Sequence, residues 1–555
     1  MNPLIIRGIR ERLRIKNLIA SGLLSLILCS TLYLAAFLDG MQTWVPAAVS
    51  SSGKDELLSI PLNGAREAFT VLLILQGFYL MFLGTGRVAS GTAEEKESGL
   101  LDYQRMTPMS PLSKITGYLF GLPSREYLMF LITLPFLLHC MVVGEIPPLN
   151  LAQLYAVFFC SVLLYHLTAH VIGMVVARPR AASWVARLAV LGLYVFLPVL
   201  GQAGISFLSF LTIIPTYFGK ILPHLLAEGT EKLGRFEGQA VAFWQEVPFF
   251  TIQVSPTTFT FAMQGMILLG LLFTAYRKWR LDSLPALSKP LGLGLFVILQ
   301  FLLLGSLWPF FSLGEASGLL GHALQLDPAK TGLPNQLKHD AQPAIAMIVV
   351  QAIFFLLNLA AVLLLINVCC PNPHRRLKGI QRKEKLGIHR IPSLADESPG
   401  GIFAIILSLI VSLAFACLHF LAVSSELVNS VSSSLNTVFL PSLLFLCTSL
   451  SLRAAREQWF NLGFWGYVGL LWLTPVLACL VLAVDDLLGN SQFMLYLSAL
   501  SPLTFFPQLI TYVSPSLLSE ASQFANFTMP VSTGISSAIL LALVLTIRLF
   551  SYQKT

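Results

Sequence analysis

Leu18-Ile-Ala-Ser-Gly-Leu-Leu-Ser-Leu-Ile-Leu-Cys-Ser-Thr-Leu-Tyr-Leu-Ala-Ala-Phe-Leu38 passes twenty-one residues without a charged side chain. About 20 apolar residues in a helix cross the hydrocarbon core of a bilayer. A backbone in lipid must satisfy its own hydrogen bonds, which a helix does within one segment. The run does not alternate apolar with polar, as a barrel strand would. Comparable runs recur near residues 68–86, 120–143, 152–177, 184–203, 257–275, 291–311, 344–368, 401–423, 434–452, 463–484 and 532–550. A further apolar stretch, 491–512, contains Pro502 and Pro507 and reads as a broken or re-entrant segment. Only 11% of the 555 residues are charged and 55% are hydrophobic, against about 25% charged in soluble chains. The expectation is an all-α polytopic membrane protein of about twelve spans.

Charge placement orients the spans. The apolar run that follows the basic stretch 1–17 is long for a signal-peptide core and lacks a small-x-small cleavage site, so 18–38 reads as an uncleaved first span. With the N-terminus in the cytoplasm and twelve crossings, about 28 of the 35 Lys and Arg fall inside. Among these are Arg7 to Lys16, Arg87 to Arg125, Arg178 to Arg187, Arg277 to Lys289 and Arg375 to Arg390. Both termini are then cytoplasmic. A thirteenth crossing would put Arg548 and Lys554 outside.

Loop lengths repeat between residues 1–289 and 290–555, and each set carries a Ser-Pro-x-Thr-Phe string, at Ser255–Phe259 and Ser501–Phe505. This predicts two tandem six-helix halves, a recurring transporter plan. The eight cysteines contain no C-x-x-C pair and lie mostly inside apolar runs, where Cys serves as a small hydrophobe.

Ion-coupled transporters need buried titratable groups. The polar residues inside these spans are mostly neutral: Gln76, Gln202, Gln264, Gln300, Gln351 and Asn358, with Arg66, Glu67 and Glu126 near span ends. The chain has no G-x-x-x-x-G-K-[ST] phosphate cradle. Energy for transport is therefore expected from another chain, with no cofactor, metal or catalytic residue in this one.

Two stretches carry the contact expected with that chain. Ile5, Ile6, Ile9 and Leu13 share a helical face, largely opposite Arg7, Arg10 and Arg14. This suits a helix in the headgroup layer and equally a cluster that fixes orientation. Residues 88–117 include Glu94, Glu95 and Glu97, acids suited to a helix first turn, with Pro108 and Pro111 to end that helix. On physics alone this stretch reads as a solvated connector.

Glu95-Lys96-Glu97-Ser98-Gly99, followed by Thr107-Pro108-Met109-Ser110, resembles the cytoplasmic loop of type-two ABC exporter permeases, whose form is Glu-Arg-Glu-x-Gly-Thr, then Thr-Pro-Leu-Ser. Asn2-Pro3-Leu4 and the arginines after it are similar to the elbow helix of that family, and Gly173–Ala182 to its fourth-span exit. The resemblance implies a permease subunit of the bacterial cytoplasmic (inner) membrane. It further implies a separate ATPase that binds ATP, membrane lipids as surroundings, a possible second permease copy, and no nucleic acid. Carried over, Glu95, Lys96, Glu97, Gly99, Thr107, Pro108 and Ser110 form the coupling element, and Arg10, Arg12 and Arg14 belong to the elbow (residues 1–17). Lys96 stands where the family has Arg, and Leu100 where it has Thr; the second-half loop, Arg375 to Pro399, lacks the motif and is basic.

His166 and His170, four residues apart, share a helix face, and His139 and His419 lie in other spans; without acid or cysteine partners they read as hydrogen-bonded groups rather than metal ligands. Asn526-Phe527-Thr528 fits a glycosylation sequon, discounted for a bacterial chain. The competing functions are a membrane-embedded enzyme acting on lipid or polymer, and a non-transporting envelope scaffold. An enzyme could recruit the outer acids Glu228, Glu231, Glu237 and Glu246 and His224, but no catalytic spacing joins them.

Overall fold

The computed structural model of the chain describes residues 2–45, 56–176, 178–202, 206–226, 247–280, 285–312, 335–370, 400–424 and 440–458, with isolated positions elsewhere. Apart from two small two-stranded sheets, the described elements are helices, and eight of them are long and apolar enough to cross a membrane. The protein is all-α and multi-pass. The predicted spans 463–484 and 532–550, the broken stretch 491–512, the outer acids and the sequon lie outside the described residues.

Contacts divide the chain into two units, one chiefly residues 1–282 and the other chiefly 283–555. The first unit contains α1 (Pro3–Arg12), α2 (Ile15–Met41), α3 (Pro61–Glu97), α4 (Leu100–Met106), α5 (Pro111–Gly121), α6 (Ser124–Val143), α7 (Pro148–Val175), α8 (Pro179–Gln202) and α9 (Pro256–Arg280). The second contains α10 (Lys289–Ser312), α11 (Asn335–Cys369), α12 (Gly400–Ser424) and α13 (Leu440–Gln458).

In the first unit, Phe69, Leu72 and Leu80 of α3 pack with Phe130 and Leu137 of α6 and with Leu154 and Phe158 of α7. Lipid removes the hydrophobic drive between helices, so small residues and polar links must hold them. Gly173 of α7 lies so close to α3 that a Cβ there would stand 2.6 Å from the Ala89 carbonyl oxygen. Gln76 donates to Thr133 Oγ1 at 2.7 Å, Gln264 to Ser161 Oγ at 2.8 Å, and Ser25 to the Met129 carbonyl at 2.9 Å. The seven cysteines described carry free thiols.

Four expectations need correction. The second span does not stop near residue 86: α3 continues to Glu97, because Gly91, Thr92 and Ala93 are small enough to pack against a neighbour. The acids Glu94, Glu95 and Glu97 therefore lie in the last turn of a helix, not the first. Pro111 opens α5 rather than closing the preceding helix: it follows the N-cap Ser110, whose Oγ accepts from the Ser113 N–H at 3.2 Å. Residues 206–225, expected in an outer loop, pack back among the spans. There the Phe210 carbonyl accepts from Gln264 at 3.2 Å and the Leu211 carbonyl from Tyr165 at 2.7 Å, as irregular backbone within a membrane requires. Glu126 lies near the start of α6, as expected, and is buried there.

A π-helical segment, Phe78–Gly84, interrupts α3. Its Leu80 carbonyl takes a hydrogen bond from His166 Nε2 at 2.9 Å, and Gly84 leaves room for that ring. In the second unit, Phe354 and Phe355 of α11 meet Phe415 of α12, and Phe355 meets Phe445 of α13. Lys289 donates to the Ala395 carbonyl at 2.9 Å, and Ser408 bonds Ser449 at 3.0 Å.

Close helix approach makes a specific demand. Gly173→Ala should lower the melting temperature in detergent, by roughly 1–3 kcal/mol of overpacking. Gly265→Ala, where a Cβ meets nothing within 4 Å, should hold or raise it. Equal effects would contradict the packing described.

Candidate functional site

A ten-residue helix such as α1 is too short to be stable in water alone, so its order depends on what it docks against. Asn2 caps its first turn, accepting from the Leu4 N–H at 3.0 Å, and its amide donates to the Ser113 carbonyl at the start of α5. The helices then meet through glycine. A Cβ on Gly8 would stand 2.5 Å from the Gly121 carbonyl oxygen, and one on Gly117 would stand 2.6 Å from Leu4 Cβ. Gly117-x-x-x-Gly121 is thus a small-x-x-x-small seam, and Leu4 and Gly8 fill it. Ile9, on the apolar face of α1, is exposed and takes no part in the seam.

Docking brings Arg7 to Glu95. The guanidinium lies 3.2 Å from the carboxylate, which the Gln104 amide also approaches at 2.9 Å. Tyr118 of α5 places its hydroxyl within hydrogen-bond reach of both Glu95 and Gln104 Oε1, one proton facing two acceptors. Burial, then the neighbouring carboxylate, raises the Tyr118 phenol far above its ordinary range, so it stays a donor. A carboxylate at a helix C-terminus is disfavoured by about 0.3–1 kcal/mol. The Arg7 pair, with Arg7 half exposed, returns roughly 0.2–1 kcal/mol. Hydrogen bonds to a charged group contribute about 1.5–3 kcal/mol each. Tyr118 and Gln104 therefore hold Glu95, and Arg7 adds α1 to the cluster.

Gly99 makes the geometry possible. Its φ of 74° ends α3 in the left-handed region and turns the chain into α4, while open space surrounds the position where a Cβ would sit. On either side of it, two cations grip other spans. Lys96 donates to the Met174 carbonyl at 2.5 Å, at the end of α7, and Arg105 donates to the Lys278 carbonyl at 3.3 Å, near the end of α9. Cations at helix C-termini satisfy carbonyls that have no partner within the helix. Thr107 bonds back to the Gln104 carbonyl at 2.6 Å, and the Thr107 carbonyl accepts from Lys114 at 3.3 Å.

A second polar line runs inward. Trp279 of α9 donates its indole N–H to His170 Nε2 at 3.0 Å, and His170 Nδ1 faces Thr92 Oγ1 at 3.0 Å. Thr92 donates to the Val88 carbonyl at 2.8 Å. An indole can only donate, so Nε2 accepts and Nδ1–H donates: both ring nitrogens of His170 are occupied. The Tyr118 ring packs on His170 and Trp279, with centroids 4.9 and 5.5 Å apart. His139 bonds Tyr33 at 2.8 Å and His224 bonds Asn150 at 2.9 Å. The side chain of His419 is outside those described.

Of the expected coupling residues, Glu95, Lys96, Gly99, Thr107 and Ser110 build this junction. Glu97 and Pro108 face outward, and Glu97 has no ion-pair or hydrogen-bond partner among the described residues. Arg10, Arg12 and Arg14 likewise make no ion pair among the described residues; Arg7 is the arginine of α1 that engages the loop. Sequence reasoning missed Gly8, Gln104, Gly117, Tyr118 and Gly121. The Gly-x-x-x-Gly spacing was the one available signal.

Tyr118→Phe leaves two acceptors without their donor and should release α1, seen as roughly tenfold faster tryptic cleavage at Arg10, Arg12 and Arg14. Unchanged cleavage would remove Tyr118 from the lock. Burial, then the Arg105 charge, lowers the Lys114 pKa. Folding thus favours the neutral amine, and stability rises with pH from the lowered value up to the ordinary lysine value. Wild type should therefore gain on Lys114→Met in melting temperature as pH rises through that window; a constant difference would contradict it.

Comparison with protein-family models, with curated proteins and with solved structures finds no match in any of the three.

Proposed function

We propose that the chain is the membrane-spanning permease subunit of an exporter energised by a separate cytoplasmic ATPase. One observation supports this reading best: α1 and the α3–α4 turn fold into one junction, whose cations reach the ends of α7 and α9. A connector needs no such linkage. A coupling element does, because force arriving at one surface must reach several spans together. The outward groups Glu94, Glu97, Tyr103 and Met106 offer the contact surface; Tyr103 and Met106 are 63% and 78% exposed, large apolar groups turned to the outside.

The same reading places the protein in the bacterial cytoplasmic membrane with both termini inside, as two six-helix halves. The basic loop of the second half departs from the pattern, so coupling through the first half is the stronger expectation. The substrate moves outward, and the ATP is held by the partner.

Co-purification with a Walker-type ATPase from the same cells tests this. Tyr103→Ala with Met106→Ala should cut association at least tenfold while leaving the melting temperature in place. Should the purified chain move or modify a compound with no nucleotide-hydrolysing partner, the reading fails.

A further inference from the structure

Beside the π segment of α3 lies an apolar cavity of about 560 Å³. Ile74, Phe78 and Phe82 of α3 form one wall and Val190 and Tyr194 of α8 another; Ile213 and Tyr217 of the segment packed among the spans close it. Both π-helical segments of the described chain, Phe78–Gly84 and Tyr217–Ile221, contribute to its lining. Such segments concentrate at functional sites. The wall from Thr70 to Phe82 covers roughly 18 Å of helix at 1.5 Å per residue. That suits an elongated ligand lying along the spans.

The end of the cavity nearer α1 is not apolar. The Arg187 guanidinium lies 5.6 Å from the centre of the Phe82 ring, which lines the cavity, and 6.0 Å from that of Trp184. Its Nε comes so close over Gly86 that a Cβ there would meet it at 2.1 Å. Trp184 is 58% exposed, and an exposed Trp beside an Arg at one level of a span marks the headgroup layer. Arg87, on α3, lies five residues beyond Phe82, and with Arg187 it acts on Glu126. Neither guanidinium has a hydrogen-bond or ion-pair partner among the described residues, and Arg187 Nε is buried without one. Glu126 is buried in the field of Arg87, Arg125 and Arg187 and pairs with none of them within 4.0 Å. Three cations against one carboxylate leave the end of the cavity positive.

We propose that this cleft binds an anionic phospholipid of the leaflet on the α1 side, its phosphate at Arg87 and Arg187 and one acyl chain in the cavity. Charge and shape agree on that occupant: a neutral lipid would leave the cations unanswered, and a free anion would leave the cavity unfilled. The site requires only that the chain spans a membrane, and it stands apart from whether an ATPase drives it.

The test is retention of lipid by the purified full-length protein. After exchange against equal phosphatidylglycerol and phosphatidylcholine with matched chains, native mass spectrometry counts what stays bound. Wild type should hold phosphatidylglycerol about tenfold over phosphatidylcholine. Arg187→Gln should erase the preference while some lipid remains, and Arg187→Lys should keep part of it. Gly77→Leu should lose both lipids, because a Cβ at Gly77 meets only Met81 Sδ, at 3.9 Å, so that the longer side chain grows into the cavity. Arg280→Gln, at the end of α9, should change nothing. No preference in wild type, or an equal loss with Arg280→Gln, would overturn the proposal, as would retention by Gly77→Leu. So would competition by inorganic phosphate, which would mark a free-anion site, or a changed oligomeric state in Gly77→Leu, which would mark the seat of a second copy.

Discussion

The carboxylate of Glu95 stands where the field of its own helix opposes it, and the junction on the α1 side is arranged around that misfit. Left to water, a last-turn glutamate would swing outward, and α1 would lose its anchor. Three groups from three elements prevent this: the phenol of Tyr118, the amide of Gln104 and the guanidinium of Arg7. Because hydrogen bonds to a charge outweigh a half-exposed ion pair, order in the junction comes from α4 and α5, and α1 joins it. The glycine seam lets it join, since any side chain at Gly8 would hold the backbones apart.

Within the membrane the same economy of contacts recurs. Small residues bring α3 and α7 to backbone distance, and the amides of Gln76 and Gln264 donate across helices to hydroxyls. His166 illustrates the logic. The imidazole donates to the Leu80 carbonyl within the π segment. His170 does comparable work in the middle of a chain of donors that runs from Trp279 to Thr92 and the Val88 carbonyl. The spacing of four that raises the thought of a metal serves to place two donors along one helix face.

The eight described spans were legible because lipid leaves one solution for a twenty-residue apolar run. The contents of residues 88–117 were legible by type but not by arrangement. Gly91-Thr92-Ala93 reads as polar loop, yet it is helix, because smallness matters more than polarity where Gly173 approaches. The partners of Glu95 could not be read, since Arg7 and Tyr118 lie far along the chain from it and only docking chooses Arg7 over Arg10. Both π segments lack any sequence signature. Burial of Glu126 follows from the break at Leu122–Pro123, which sets the start of α6 at Ser124.

The length of α3 has a mechanical consequence. At 1.5 Å per residue its 37 residues form a rod of roughly 55 Å, longer than the roughly 30 Å core it crosses. One end carries Glu95, and the middle forms a cavity wall. Under the proposed coupling, a push on the tip that carries Glu95 would tilt the wall as a lever tilts its load, with α7 tethered to that tip through Lys96. The π segment lies along that beam between the tip and the far end, so under that coupling its stiffness would decide how much of the stroke arrives.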